Sequence, residues 1–282
     1  MEPPPQVYFI GSAIFHYLGP AFAVLLFARV DVLGVAWLRI AAAAAVFVAW
    51  RRPWKALRVR DGRELLIAWG AVLAVMNCCF YLAIDRLPLG TVAAIEFLPV
   101  IVLAALGART PRNAAALALA VPGVYLLTDV QLAGEPLGVA FAFANAILFA
   151  LYIVLGHQVA QRGAGGGIDG LGASMLVATV VVTPLAGWAA APAVTDPVAL
   201  LAGAGVGISS SVIPYVCDQL AMARLSRAAY ALMVALLPAT ATVIGIAVLG
   251  QVPSWVEVTG VLLVVAGVGL HREPAVPVAA TA

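Results

Sequence analysis

Ten apolar segments follow one another along the chain, separated by short connections that contain charged, Gly or Pro residues. The segments are 7–28, 32–50, 64–85, 89–107, 112–130, 136–157, 168–190, 198–222, 228–250 and 254–270. A bilayer core of ~30 Å takes about 20 helical residues to cross, and backbone groups inside it must be hydrogen-bonded within the protein. Continuous apolar runs satisfy this as helices, whereas the strands of a barrel alternate apolar and polar positions. The pattern predicts an all-α integral membrane protein with ten transmembrane helices.

The composition agrees with this class. Of the 282 residues 64% are hydrophobic and only 10% are charged, with a mean hydropathy of +1.08. A soluble domain carries about 25% charged residues, because its surface faces water. The ten segments leave no room for a sizeable soluble domain, and the net charge of +2 is too small to indicate a nucleic-acid partner.

The positive charges are distributed unequally between the two sides of the predicted bundle. The connections after even-numbered segments hold 12 of the 15 Lys and Arg residues, whereas the opposite side has only Arg29 and Arg86, and Arg39 lies inside a segment. Cytoplasmic connections carry the excess of positive charge. The distribution therefore predicts a multi-pass protein with both termini in the cytoplasm. A single Lys among fourteen Arg, together with the Ala-rich runs, is typical of a GC-rich bacterial genome and favours the bacterial plasma membrane.

A short internal repeat divides the chain into halves. The sequence Ala-Ile-Asp-Arg-Leu at 83–87, followed by Pro99, reappears as Ala-Met-Ala-Arg-Leu at 221–225, followed by Pro238. Five segments separate the copies, and an odd number gives the halves opposite orientations in the membrane. We expect two inverted five-helix repeats, residues 1–131 and 132–282, an architecture that many secondary transporters use.

Three charged residues stand out away from the ends of the apolar segments: Arg39, Glu96 and Asp218. A charge at the bilayer centre costs about 2.5–3.5 kcal/mol on insertion scales, so each requires a partner or a function. Arg39 and Glu96 lie about seven residues, ~10 Å, from the same predicted side of the membrane, a depth at which they can pair. Asn77 reaches the same level, and Tyr81 follows it on the same helical face.

Two interpretations of Arg39 and Glu96 follow from this depth. In the first, Glu96 accepts a proton or a substrate ammonium group, and Arg39 binds the carboxylate of Glu96 or of the substrate. In the second, the two residues form a fixed structural ion pair between the second and fourth segments. Exchange of Glu96 for Gln distinguishes them, because unaltered transport would remove Glu96 from the mechanism.

Other polar residues and prolines inside the segments are weaker candidates for the same site. Asp218 lies ~9 Å from a predicted helix end and can reach the interface there. His16, Asn145 and Tyr152 suit either a site or a satisfied interior position. The mid-segment prolines Pro99, Pro214 and Pro238 free the carbonyls of Ile95, Ser210 and Val234, which can bind a cation or ammonium group or can merely accompany a kink. The serines 209–211 precede Pro214 and can supply hydroxyl groups.

Several of these motifs together resemble the EamA branch of the drug/metabolite transporter superfamily, most of all its threonine/homoserine exporter group. They are Trp37-Leu38-Arg39, the run from Asn77 to Gly90, Ala94-Ile95-Glu96-Phe97, Leu151-Tyr152-Ile153, Gly156-His157-Gln158, Ile213-Pro214-Tyr215 with Asp218, and Arg224-Leu225. The resemblance implies two inverted five-helix halves and the efflux of small amino acids in exchange for protons. It adds weight to Glu96 and Asp218. The chain departs from the group at Leu237 and Gln251, where many relatives carry Glu.

Three classes of function compete for this sequence. The first is a secondary exporter of small amino acids, whose partners are a small-molecule substrate, the lipid bilayer and a proton. The second keeps the fold but transports drugs or other metabolites, enclosed by aromatic residues at positions 15, 17, 80, 81, 149, 152, 215 and 230. The third, an intramembrane enzyme or a scaffold, lacks support because the three His residues form no metal-binding spacing. No cofactor, metal or ATP-binding loop is expected, and the oligomeric state is left open.

Overall fold

Helices form nearly all of the structure that a computed structural model of the chain gives for residues 5–60, 62–107, 110–132, 134–161, 166–222 and 237–270. The helices are α1 (Pro5–Leu26), α2 (Val32–Arg51), α3 (Trp54–Arg58), α4 (Arg63–Ile84), α5 (Leu89–Gly107), α6 (Pro111–Leu132), α7 (Pro136–Gln161), α8 (Gly166–Ala186), α9 (Ala191–Thr195), α10 (Pro197–Gly207), α11 (Ile213–Met222), α12 (Leu237–Leu249) and α13 (Trp255–Leu270). A 3-10 turn, Gly187–Ala190, follows α8, and a π-helical segment, Ile208–Val212, joins α10 to α11. Within these ranges there is no strand, which confirms the all-helical class.

Five helical stretches are long and apolar enough to cross a membrane. They are Val32–Arg51, Arg63–Ile84, Pro136–Gly156, Gly167–Thr195 and Pro197–Cys217. Four shorter apolar helices accompany them within the described ranges: Ile10–Leu26, Leu89–Pro99, Leu237–Leu249 and Trp255–Leu270. The short helices α3 and α9 were not predicted, and the eighth predicted segment is one helix interrupted by the π segment.

The outside of the bundle is apolar and its interior holds the polar groups. Val180, Leu201 and Val243 expose 68%, 74% and 63% of their surface, whereas Arg39 and Glu96 expose 5% each. Lipid accepts apolar side chains without penalty but cannot satisfy a charge. The distribution of side chains is therefore that of a multi-pass membrane protein.

Contacts between connections define two ends of the bundle. At one end, called here the basic face, Arg51 forms an ion pair with Asp169 at 2.6 Å, and the Arg112 side chain donates to the Leu270 carbonyl. The second contact places a cation at the C-terminus of α13, where the helix dipole favours it. At the opposite face, Arg29 forms an ion pair with Asp196 at 3.2 Å.

Side chains at the opposite face also begin several helices. Asp31 and Asp196 accept backbone N–H groups at the first turns of α2 and α10, and Pro197 follows Asp196 at a position where a missing N–H costs nothing. Gln251 accepts the Leu89 N–H at 3.1 Å across 162 residues and so caps α5 from another part of the chain. At Gln251 the resemblance implies Glu, and here the Gln side chain has this structural role.

The two halves of the chain pack mainly against each other. Helix α1 packs on α11 and α12, and α7 packs on α4 and α5 in the same manner. Helix α2 contacts both α8 and α10, α4 contacts α8, and α6 lies along α13. Because each half contributes helices to every layer, the candidate residues of both halves meet in the centre of the bundle.

Candidate functional site

Glu96 lies in the interior of the bundle with an amide as its hydrogen-bond partner. The Asn145 Nδ2 donates to Glu96 Oε1 at 3.0 Å, which joins α5 to α7. Asn145 is fully buried, and its own Oδ1 has no hydrogen-bond partner among the described residues. A neutral donor of this kind can serve a protonated or an ionised carboxyl group, since Glu96 Oε1 can accept a hydrogen bond in either state.

The predicted ion pair between Arg39 and Glu96 is absent. The described part of the chain contains ion pairs within 4.0 Å only at Arg29, Arg51 and Arg86, all of them near helix ends. The predicted depth of both residues agrees with their burial. Depth does not determine the direction of a side chain, because this depends on the rotation of the helix about its axis. The structural ion pair is therefore a wrong interpretation for this conformation.

Arg39 instead binds the π segment of the second half. Its Nε donates to Ser211 Oγ at 2.9 Å and its Nη2 donates to the Ser210 carbonyl at 3.1 Å. The guanidinium also lies over the Tyr81 ring, 5.5 Å from the ring centre, where a cation is attracted by the negative face of the ring. Arg39 and Tyr81, two of the candidates, thus meet directly.

Pro214 explains why the Ser210 carbonyl is available to Arg39. Proline has no N–H to donate to the carbonyl four residues earlier, as the sequence predicted. The backbone there widens to π geometry, in which the Ile213 N–H donates to the Ile208 carbonyl. In this structure the cation that binds the freed Ser210 carbonyl is the side chain of Arg39.

The other two prolines occupy different settings. Pro99 lies inside α5, one turn after Glu96, where the helix continues. Pro238 is the second residue of α12, and the carbonyl of Val234 that it would free lies outside the described residues. Asp218 is on α11, but its side chain also lies outside the described residues, so its role stays a prediction.

Asn77 bonds its own helix, and His16 packs against aromatic rings. The Asn77 Nδ2 donates to the Leu73 carbonyl at 2.8 Å, one turn back on its own helix, so this amide is not joined to Arg39 or Glu96 by a described hydrogen bond. The His16 ring packs edge-on against Tyr17 at 5.5 Å and Tyr215 at 6.0 Å between ring centres. Asn77 is buried and His16 is half-buried, and within the described residues no hydrogen bond joins either of them to the Glu96 carboxyl group.

Tyr152 belongs to a layer of stacked aromatic rings. Its ring lies 5.3 Å from Trp69, 6.4 Å from Phe149 and 6.5 Å from Tyr215, with interplanar angles of 28°, 15° and 28°. Tyr152 follows Asn145 by seven residues on α7, which places this aromatic layer ~10 Å from the Glu96 level toward the basic face. The aromatic layer connects α4, α7 and α11 on the side of Glu96 and Arg39 that is nearer the basic face.

Several buried polar atoms of the bundle interior have unused hydrogen-bonding capacity. Within the described residues, the atoms without a partner are Tyr17 Oη, Tyr81 Oη, Asn145 Oδ1, Ser210 Oγ and Trp69 Nε1. Buried polar groups are normally hydrogen-bonded, and clusters of exceptions require an explanation. Asn145 holds the Glu96 carboxyl group and Tyr81 lies under the Arg39 guanidinium, so two of these atoms adjoin groups that suit the opposite charges of a zwitterionic ligand.

Sequence reasoning missed two features of this site. The sequence indicates the serine run as a source of hydroxyl groups but not as the partner of Arg39, because 172 residues separate Arg39 from Ser211. Trp69 gave no signal, since an aromatic residue in an apolar run is ordinary. Among the described residues, no group of three or more His, Cys, Asp or Glu could hold a metal ion.

Comparison with known proteins identifies the relatives of this chain. Residues 136–271 match the EamA-like transporter family. The threonine/homoserine exporter RhtA of Salmonella typhimurium strain SL1344 is 27% identical over 267 residues, covering 91% of this chain and 88% of the exporter. The threonine/homoserine exporter RhtA of Escherichia coli strain K12 is 29% identical over 239 residues, covering 83% of this chain and 79% of the exporter. These similarities confirm the resemblance that the motifs predicted, and they indicate a transporter.

Proposed function

Because the chain is related to the EamA-like transporters, which its residues 136–271 match, we propose that it is a secondary active exporter of small amino acids, with threonine and homoserine as the first candidate substrates. The observation that carries this proposal is the interior pair of Glu96 and Arg39. One is a carboxyl group held by an amide, and the other is a guanidinium group without a carboxylate partner within 4.0 Å among the described residues.

A zwitterionic amino acid carries the two charges that are opposite to those of Glu96 and Arg39. Its ammonium group suits Glu96, and its carboxylate suits Arg39, since each buried charge then gains a charge-assisted hydrogen bond. Tyr81 Oη and Asn145 Oδ1 have spare capacity for polar groups of the side chain, such as the hydroxyl of threonine or homoserine. The two relatives described above are threonine/homoserine exporters, which supports this substrate class.

The proposed architecture is ten membrane spans in two inverted repeats, 1–131 and 132–282. Support comes from glycines that stand 137 or 138 residues apart and allow close contact with reciprocal helices. The pairs are Gly19 with Gly156, Gly34 with Gly172, Gly70 with Gly207, and Gly123 with Gly260.

Each glycine of a pair contacts the helix of the other half that corresponds to the one its counterpart contacts. Gly19 of α1 faces the π segment, and Gly156 of α7 faces Trp69 on α4. Gly123 and Gly260 face each other, so that an ideal Cβ on either would lie 2.8–2.9 Å from the other's carbonyl oxygen. A two-fold relation between the halves produces this reciprocity, and alternating access in secondary transporters uses such a relation.

Proton exchange is the proposed source of energy, with both termini in the cytoplasm. Glu96 is a buried carboxyl group on the first half, and the proposed cycle alternates a proton and the substrate ammonium at this group. The basic face is then cytoplasmic, because it carries the excess of Arg and Lys.

The test is transport by the purified full chain in proteoliposomes. Labelled L-threonine and L-homoserine are loaded, and their exit is measured with and without an imposed proton gradient. Exit that requires the protein and accelerates when protons are allowed to enter in exchange supports the proposal. Exit equal to that of protein-free vesicles, from a protein that retains its helical circular dichroism and its proteolytic pattern, would rule out these substrates.

An exporter of apolar compounds is the second candidate. The observation that favours it is the aromatic layer of Trp69, Phe149, Tyr152 and Tyr215, which offers flat apolar surfaces near the polar centre. Competition distinguishes the two candidates. Excess unlabelled homoserine should suppress threonine exit, whereas a lipophilic aromatic cation should not.

A further inference from the structure

The π segment is wedged between two helices of the first half of the chain. A Cβ on Gly19 of α1 would collide with the Ser210 hydroxyl, and a Cβ on Gly207 would lie 2.6 Å from the Arg39 carbonyl oxygen of α2. Only glycine permits these approaches without movement of the backbone. Any rearrangement of residues 208–212 must therefore involve both α1 and α2.

The hydrogen bonds of Arg39 fix the same segment from the side. Its Nε and Nη2 reach Ser211 Oγ and the Ser210 carbonyl, and both acceptors are neutral. A buried guanidinium is compensated better by a carboxylate, which accepts two parallel N–H groups and carries the opposite charge. A carboxylate ligand can therefore replace the two neutral acceptors of Arg39 and bind the guanidinium more strongly than they do.

The break in the helical hydrogen bonds points in the same direction. The Ser210 carbonyl lost its helical partner to Pro214, and π geometry is found where a helix interrupts its regular hydrogen bonds, often at functional sites. Arg39 supplies the missing donor. When Arg39 turns to another acceptor, Ser211 Oγ and the Ser210 carbonyl lose this donor, and one constraint on the position of the segment is removed.

We propose that Ser211 Oγ and the Ser210 carbonyl occupy the positions on Arg39 that the substrate carboxylate takes, so that substrate binding releases the π segment. This inference rests on the function proposed above and makes Ser211 a positioning residue, which acts through Arg39. It links recognition of the carboxylate to movement of α10 and α11 against α1 and α2.

Ser211→Ala tests this link, with Ser209→Ala as the matched control. Within the described residues, Ser209 Oγ donates to the Val206 carbonyl of its own helix and makes no hydrogen bond to Arg39, so its loss leaves the Arg39 bonds in place. Removing one competing hydrogen bond from Arg39 should tighten L-threonine binding about fivefold, because the competent state becomes more populated. In counterflow, KM should fall by the same factor while kcat does not rise. Ser209→Ala should match the wild type.

Amide hydrogen exchange supplies a readout that does not depend on transport. Saturating L-threonine should speed exchange in residues 208–213 of the wild-type protein, whereas Ser211→Ala should exchange faster before any ligand is added. Threonine amide, which has no carboxylate, should not produce the effect. A merely structural role of Ser211 would lower kcat without lowering KM.

The failure of this inference is distinguishable from failure of the proposed function. If the wild-type protein binds and transports L-threonine but Ser211→Ala and Ser209→Ala behave alike, the link through Arg39 is wrong and the exporter remains. If threonine amide loosens residues 208–213 as well as threonine does, the carboxylate is not the trigger. If L-threonine neither binds nor is transported, it is the substrate assignment that fails.

Discussion

Exchange of Glu96 for Gln is the substitution that tests the proposed site most directly. The two side chains have nearly the same shape, and the Gln Oε1 can accept the Asn145 Nδ2 hydrogen bond that Glu96 Oε1 accepts at 3.0 Å. The change therefore removes the ability to carry charge and to exchange a proton, while it preserves packing and the link between α5 and α7. Folded stability should change by less than about 1 kcal/mol, since a neutral hydrogen bond contributes about that much.

The effect on substrate follows from the loss of charge. A hydrogen bond to a charged group contributes about 1.5–3 kcal/mol, compared with about 0.5–1.5 kcal/mol between neutral groups. The ammonium of the substrate should lose about 1–1.5 kcal/mol of binding free energy, or about 5- to 15-fold in affinity. Stimulation by a proton gradient should disappear entirely, because an amide does not titrate.

A matched control is available at Glu257. This carboxylate is also buried, and its Oε2 accepts the Ser254 N–H at 2.7 Å at the start of α13. Gln replaces Glu well in such a capping arrangement. Glu257→Gln should therefore retain L-threonine exit and its dependence on the proton gradient, measured in the same proteoliposomes at matched protein content.

Two results would refute this reasoning. Wild-type exit with gradient stimulation in Glu96→Gln would remove Glu96 from the coupling mechanism. An equal loss of L-threonine exit in Glu96→Gln and Glu257→Gln would mean that any buried carboxylate matters for folding. The proposed role of Glu96 in coupling would then have no support.

Further predictions concern packing and the opposite face. Gly123→Ala should lower the unfolding temperature, because an ideal Cβ would lie 2.8 Å from a backbone oxygen of α13 and such overpacking costs about 1–3 kcal/mol, whereas Gly205→Ala, with nothing within 4 Å, should raise it; equal stability would contradict the close contact. Gln251→Leu should destabilise the protein by about 1 kcal/mol in detergent, since the first N–H of α5 loses its acceptor, and Gln251→Glu should not. The Ala199 N–H, with further donors beside it, holds the pKa of Asp196 below its ordinary value. Its stabilising contribution is therefore complete above the unfolded pKa of about 3.9 and is lost as the pH falls through the lower folded value. Asp196→Asn should flatten the acid side of the thermal stability profile; an unchanged profile would contradict the assignment.

The membrane class and most helices could be predicted from the sequence alone, because both depend on local properties. A run of about 20 apolar residues must satisfy its own backbone in lipid, whatever the rest of the chain does. The freed carbonyl of Ser210 was equally predictable, since Pro214 acts on a residue four positions away. The interior position of Arg39, Glu96 and Asn145 followed from the cost of exposing such groups to lipid, and the structure has all three buried.

The partners of these groups were decided only by the tertiary structure. Counting 1.5 Å per residue gives the depth of a side chain along its helix, and it placed Arg39 beside Glu96. It does not give the rotation of the helix about its axis or the crossing between helices, which close contacts such as Gly207 against α2 determine. For this reason Glu96 met Asn145, 49 residues away, and Arg39 met Ser211, 172 residues away, in place of each other.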